Sequence, residues 1–220
     1  GRGGHLFLYK GTNSLHDQYG LAHPNIAAAW DQLVRERAVF CEKHGAQFLQ
    51  LIVPEKQSVV GDCYPYPITG QTPLLESISA ALSGFAPYVD AREALAKLYG
   101  FDGLSPFRRV DTHLSLHGAA VLVRRLCEAI GPLPDIWPRT LREVIATGDL
   151  GNKFMRGNIA EQHLVPVMDS WSFGKEEPHC VNSFDPVAGH GGIRRDWVGV
   201  NPVYDKHVMV FGNSVLERGS

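Results

Sequence analysis

Phe48-Leu49-Gln50-Leu51-Ile52-Val53 is a nearly continuous apolar run of strand length. A strand with one wet face alternates apolar and polar residues, so an unbroken run suits a parallel strand covered on both faces. Upstream, Pro24 is placed to open a helix at its first position. Ile26, Trp30, Leu33, Val34 and Cys41 then recur near helical spacing, and Gly45 is placed to stop the helix. Further upstream, His5 to Tyr9 reads as a short strand. Downstream, Leu74 to Leu82 reads as a helix, Tyr88-Val89-Asp90 as a short strand and Ala91 to Tyr99 as a second short helix. Strands alternating with helices predict an α/β chain, a three-layer sandwich around a mostly parallel sheet.

The second half continues the pattern. A helix carries Ala119, Val123, Leu126, Cys127 and Ile130 on one face and closes at Gly131-Pro132. Another is expected over roughly Thr140 to Thr147, broken by Gly148-Asp149-Leu150-Gly151. Residues 151–195 are rich in Gly, His and Pro with little periodicity, and predict long loops or a small β insertion, where function often sits. Trp197 to Val200 reads as an edge strand. His207 to Phe211 reads as a buried strand that delivers Gly212-Asn213-Ser214 at its C-terminal end, where such sheets place their sites.

The 220 residues fit a single domain, 1–220, long enough to bury a sizeable core. A formal net charge of −2 and the lack of a basic run argue against a general nucleic-acid binder. No stretch approaches a membrane span, and the N-terminus does not read as a signal peptide. The expectation is a mature or excised domain, or a cytosolic protein. Cys41, Cys63, Cys127 and Cys180 are widely spaced with no Cys-x-x-Cys pair, which disfavours a zinc ribbon or redox motif. Cys41 and Cys127 fall on apolar helical faces and read as buried free thiols.

The chemistry centres on Val110-Asp111-Thr112-His113-Leu114-Ser115-Leu116-His117-Gly118. If extended, this stretch puts Asp111 and His113 on one side of the chain, where the carboxylate can orient the imidazole. The competing reading is a helix cap by Asp111 or Thr112 with His113 packed nearby. Ser214 is the candidate nucleophile, because Gly212 allows a sharp turn that exposes its hydroxyl, like a nucleophile elbow.

These segments resemble the SGNH-hydrolase-like proteins of the alginate O-acetylation group. Gly3-Gly4-His5-Leu6-Phe7-Leu8 is similar to the opening strand, and Ile52 to Val59 with Tyr64-Pro65 to the strand, Pro-x-Lys turn and Tyr-Pro loop. Tyr88-Val89-Asp90 through Leu95 and Tyr99 resembles the helix before the Asp-Thr-His block; Asp111 to Ala119 resembles the block itself. Gly148-Asp149-Leu150 and Val210-Phe211-Gly212-Asn213-Ser214 complete the order. The family's usual Trp is Leu114 here, Asn213 stands where Asp is commoner, and the chain stops at Ser220 where the family continues, which is read as a C-terminally incomplete domain.

The resemblance implies an SGNH/flavodoxin-like fold and a triad of Ser214 as nucleophile, His113 as base then acid, and Asp111 as orienter, with the Ser214 backbone N–H as an oxyanion donor. It implies a polysaccharide O-acetyltransferase working through an acyl-enzyme, or a carbohydrate acetyl esterase with the same triad. No metal and no cofactor are expected. The partners would be an acyl donor (an acetyl ester or acetylated carrier protein), a polysaccharide acceptor and a membrane-bound acetylation machinery, in the periplasm, with a cytosolic capsule-synthesis role left open.

Two other classes are open. Asp111, His113 and His117 could begin a metal site with His179 or His190, but no Glu sits between the histidines as in His-Glu-x-x-His. A non-catalytic carbohydrate-binding module could stack sugars on Trp171, Phe173, Trp197 and Tyr204, although core aromatics are the commoner explanation. Arg194-Arg195 and Arg108-Arg109 could attract an anionic polymer, although such pairs usually mark a solvated face. Arg194, Arg195, Trp171 and Trp197 are the substrate-binding candidates. Lys56 reads as structural.

Overall fold

The computed structural model describes residues 1–10, 14–101, 104–131, 140–153, 157–167, 179–184, 194–198 and 206–212. Helix α1 spans Pro24–Lys43 with proline at its first turn, where the missing N–H costs nothing. It ends at His44, after which Gly45 takes a φ of +68° and returns its N–H to the Glu42 carbonyl. Helix α3 spans Pro73–Ala81 and is capped by Thr72, whose hydroxyl accepts from the Leu75 N–H. Ala27 and Val34 of α1 meet Ile78 of α3 and Leu82 in one buried cluster, while Ile26 and Leu33 stay exposed.

Among the described residues the parallel component is two short strands, β1 (Gln50–Leu51) and β2 (Tyr88–Val89), paired Gln50 to Tyr88 and Leu51 to Val89. Of the long apolar run, only these two positions enter the ladder. Its side chains still alternate. Phe48 and Ile52 pack on the α1/α3 cluster, whereas Leu51 and Val53 pack on a second cluster of Val59, Ala91, Leu95, Phe107 and Leu122. That second cluster is supplied by helices α2 (Lys56–Val59), α4 (Arg92–Leu98) and α5 (Leu116–Ile130), with Ala91 and Phe107 beside them. Helices therefore cover both faces of the strand pair. Ser115 caps α5 by accepting from the Gly118 N–H, so neither Asp111 nor Thr112 is the cap. The buried positions of α5 are Gly118 and Leu122; Val123, expected on that face, is 41% exposed.

Several expected elements differ. Residues 5–9 form no ladder, because side chains claim their carbonyls: Lys56 Nζ donates to Leu6 O and Gln57 Nε2 to Leu8 O. The helix expected at 140–147 is instead strand β3, Leu141–Thr147, antiparallel to β4, Ala160–Pro166, with Leu141 opposite Pro166 and Thr147 opposite Ala160. Val144, Ile145 and Thr147 are β-branched, and a neighbouring strand decides between the two periods. Strands β5 (His179–Phe184) and β6 (Arg194–Val198) form a second antiparallel hairpin, so residues 151–195 do contain β structure.

The largest correction concerns His207 to Phe211. Val208, Met209, Val210 and Phe211 are 62, 79, 63 and 85% exposed and lie outside any strand. An apolar run becomes a buried strand only where a neighbour meets its N–H and C=O groups, and no described strand pairs with it. Cys41 and Cys127 are free but half-buried rather than buried. Among the described residues no helix is long and apolar enough to cross a membrane.

Candidate active site

Asp111 follows β-bridge residue Phe107, which pairs with Leu114, so residues 108–113 form a tight excursion rather than an extended strand. The turn is closed by the Asp111 side chain. Its Oδ1 accepts the His113 backbone N–H at 3.0 Å and lies 2.6 Å from His113 Nδ1. The i, i+2 spacing thus joins carboxylate and imidazole through a side-chain-closed turn. With Nδ1–H donating to Asp111, the neutral ring carries its lone pair on Nε2.

The other carboxylate oxygen is equally engaged. Asp111 Oδ2 accepts from Arg108 Nη1 at 2.9 Å and from the Asp149 N–H at 3.2 Å. Asp111 is fully buried. Burial works to raise its pKa, but the bonds from His113 and Asp149 outweigh burial and hold the carboxyl well below the usual range. Asp111 is therefore an anion at neutral pH, aimed at the ring it orients.

Asp149 braces the turn from the far side, accepting from the Thr112 N–H at 2.7 Å and from its hydroxyl at 2.5 Å. It comes close because Gly148 and Gly151 leave room. A Cβ on Gly148 would lie 2.2 Å from the Val110 carbonyl oxygen and 2.6 Å from Asp111 Cβ. Gly151 donates to that same Val110 carbonyl at 2.9 Å.

Lys56 holds the turn from beneath. Its Nζ lies 2.8, 2.6, 2.9 and 3.0 Å from the carbonyl oxygens of Leu6, Arg108, Arg109 and Asp111. Burial lowers its pKa to about 8, against the pull of Glu161, Asp111, Asp149 and Cys63. Behind Arg108 stands Glu161 of β4, also buried. It accepts Arg108 Nε at 3.0 Å and the Arg109 N–H at 2.7 Å.

Asp111, His113 and Asp149 form, among the described residues, a group whose ligand-type atoms lie within 4.8 Å of one another. His117 is not part of it, and His190 and the side chain of His179 lie outside the described residues. The donor set fits a cation poorly. Both Asp111 oxygens and both Asp149 oxygens already accept hydrogen bonds, and the Arg108 guanidinium occupies the approach to Asp111 Oδ2.

Ser214 and Trp171 lie outside the described residues, so their placement relative to His113 is not part of this geometry. Arg194 and Arg195 stand on β6 opposite Phe184 and Ser183, and Trp197 opposite Cys180, away in sequence from the Asp111 turn. Arg108 is not the solvated residue that the arginine pair suggested; it is turned inward between two carboxylates, while Arg109 stays half-exposed. Sequence reading missed Arg108 as a partner of Asp111 and Glu161 as the partner of Arg108. No local signal marks Glu161, because its strand was not read.

Compared by sequence, the chain matches no protein-family model and no curated protein. Compared by structure, it is similar to Bacillus cereus PatB1 with a sulfonyl adduct, at a TM-score of 0.52 and 14% identity, over 80% of this chain and 57% of that one. In fold, this chain is like PatB1. A second structure of PatB1 gives the same TM-score at 13% identity, covering 60% of its chain. The O-acetyltransferase domain of Pseudomonas putida AlgJ is similar at a TM-score of 0.46 and 21% identity, over 76% of this chain and 65% of that one. The chain thus spans less than two thirds of PatB1 and of the AlgJ domain.

Proposed function

We propose that this chain is an acyl-transfer enzyme of the SGNH-like kind, a polysaccharide O-acetyltransferase with Ser214, His113 and Asp111 as its triad. The observation that carries the reading is the buried, ionised Asp111 fixing His113 through Nδ1 at 2.6 Å. That is the arrangement a general base needs, with tautomer and orientation set by a carboxylate that does not itself take the proton. The PatB1-like fold and the ordered resemblance of segments from Gly3 to Ser214 support the same reading. So does helix cover on both faces of the parallel strand pair, consistent with a three-layer sandwich built around a larger parallel sheet.

In this mechanism the Ser214 hydroxyl attacks an acetyl carbonyl as its proton passes to His113 Nε2. The tetrahedral intermediate collapses, the imidazolium protonates the leaving oxygen, and an acetyl-serine remains. A sugar hydroxyl, deprotonated by His113, then attacks the acetyl-serine and restores Ser214. The Ser214 backbone N–H supplies one oxyanion donor. Water in place of the sugar gives esterase turnover through the same steps. The acyl donor, the polysaccharide acceptor, a membrane-bound partner that delivers acetyl groups, and a periplasmic setting belong to this proposal.

The test is release of p-nitrophenol from p-nitrophenyl acetate, together with labelling by a sulfonyl fluoride. Loss of both in Ser214→Ala, with folding intact, is the expected outcome. Equal turnover in both proteins would remove Ser214 as nucleophile. Labelling without turnover would leave the triad in place and move the search to the natural acceptor.

A further inference from the structure

Among the described residues, five buried or part-buried charged side chains meet at the Asp111 turn, Asp111, Asp149 and Glu161 against Lys56 and Arg108, with the half-exposed Arg109 at the rim, 3.9 Å from Glu161. Water screens the exposed Arg109, and among the five inner groups three carboxylates face two cations, one negative charge in excess while the His113 ring is neutral. A proton on His113 closes the balance. Arg108 lies on Asp111 Oδ2 and on its own would cancel the charge that makes Asp111 useful to an imidazolium. Glu161 offsets it. Its Oε1 takes Arg108 Nε at 3.0 Å, and its Oε2 takes the Arg109 N–H at 2.7 Å, which fixes the backbone that carries the guanidinium.

We propose that Glu161 is a positioning residue for the Asp111–His113 pair. It acts through Arg108, steering the guanidinium onto Asp111 Oδ2 and restoring the negative charge that the guanidinium removes. The geometry is specific to the second half of the chain. Glu161 lies on β4, whose ladder with β3 fixes its height, and Gly151 accepts the Ile159 N–H through its carbonyl at 2.9 Å, tying the start of that strand to the loop that carries Asp149. The hairpin therefore positions both Asp149 and Glu161 against one turn.

The proposal rests on the acyl-transfer reading only for its kinetic arm, and it can be tested without it. The readout is the titration midpoint of the His113 ring, followed by proton–nitrogen NMR and assigned by its loss in His113→Gln. Among the described residues, the other titratable and charged groups near the cluster include His5, Cys63, Arg109 and His163. Glu161→Gln keeps shape and removes one negative charge, so the His113 midpoint is expected to fall by roughly half a pH unit or more. The double variant Glu161→Gln with Arg108→Gln removes the pair together, which buried pairs tolerate better than the loss of one partner. Its midpoint is expected to return to the wild-type value or above, because the net charge of the cluster is restored. Glu161→Asp is expected to leave the midpoint near wild type.

A purely structural role for Glu161 would lower stability in all three variants without this change of sign. An unmoved midpoint in folded Glu161→Gln, or a midpoint below wild type in the double variant, would overturn the proposal. If Glu161→Gln fails to fold, the double variant is compared with Arg108→Gln alone, which isolates the Glu161 charge: a lower midpoint in the double variant is expected, and equal midpoints would overturn the proposal. A shifted midpoint in a protein with no acyl-transfer activity would sustain this inference while the activity reading failed. An acid limb of kcat/KM that stays put while p-nitrophenyl acetate turnover persists would do the reverse.

Discussion

His113 donates twice to one oxygen of Asp111, through its ring Nδ1 at 2.6 Å and through its backbone N–H at 3.0 Å. The side chain that orients the ring also fixes the peptide from which the ring hangs. Asp111→Asn replaces one acceptor oxygen by an NH2 that cannot satisfy the set of donors converging on it. A loss of roughly 10³–10⁴ in kcat for acyl transfer is expected, by analogy with other triads. Stability should fall by about 3 kcal/mol, since Arg108 loses one of its two buried carboxylates. Steady-state kinetics and urea unfolding measure the two separately, and full activity in the variant would remove Asp111 from the triad.

Gly148→Ala places a methyl carbon 2.2 Å from the Val110 carbonyl oxygen and 2.6 Å from Asp111 Cβ. Since both are held by the turn, the loop must retreat and draw Asp149 with it. A loss of about 1–3 kcal/mol is expected, with a fall in activity. Gly61→Ala, where nothing stands within 4 Å, serves as the matched control. Similar melting temperatures for the two variants would show that the loop has slack.

His5 gives the fold an acid-side weakness. Burial first, then the charges of Lys56 and Arg109, lowers its pKa from 6.5 to about 4. Between those values the unfolded chain binds more protons than the folded one, so stability is complete above about pH 6.5 and declines as pH falls to about 4. The full shift corresponds to up to about 3 kcal/mol. His5→Phe should flatten this slope. Urea midpoints from pH 4 to 7 in the two proteins check it, and parallel curves would assign the acid loss to other groups.

Hydrogen-bond occupancy at Asp111 and Asp149 predicts that chelators leave activity unchanged. Dialysis against EDTA followed by the p-nitrophenyl acetate assay is the direct check. Activity lost on dialysis and restored by zinc would mean that the Arg108 and Thr112 contacts give way to a cation.

What could be read in advance was local. The proline at the first turn of α1, the glycine after its end, and the apolar spacing of α3 are signals written within a few residues. Val144, Ile145 and Thr147 could not be placed without Ala160 to Pro166 opposite them, since the same residues suit either period until a partner strand fixes one. The site divides the same way. Asp111 and His113 are two residues apart and could be paired by inspection. Glu161 meets Arg108 across 53 positions, and Asp149 meets Thr112 across 37, so no window of sequence holds either pair. His207 to Phe211 shows the opposite error, because apolar content alone does not supply a strand to bond with.

Leu6 receives Lys56 on its carbonyl and gives its own N–H to Arg109 at 2.8 Å, while Leu8 receives Gln57. Residues 5–9 are thereby laced to both the Pro-x-Lys turn and the Asp111 turn without belonging to any helix or strand. Trimming them would not remove a loose tail. It would take away the carbonyls that hold Lys56 and Gln57 and the N–H that meets Arg109, so a fragment beginning after Leu8 is expected to lose the anchoring of the Asp111 turn.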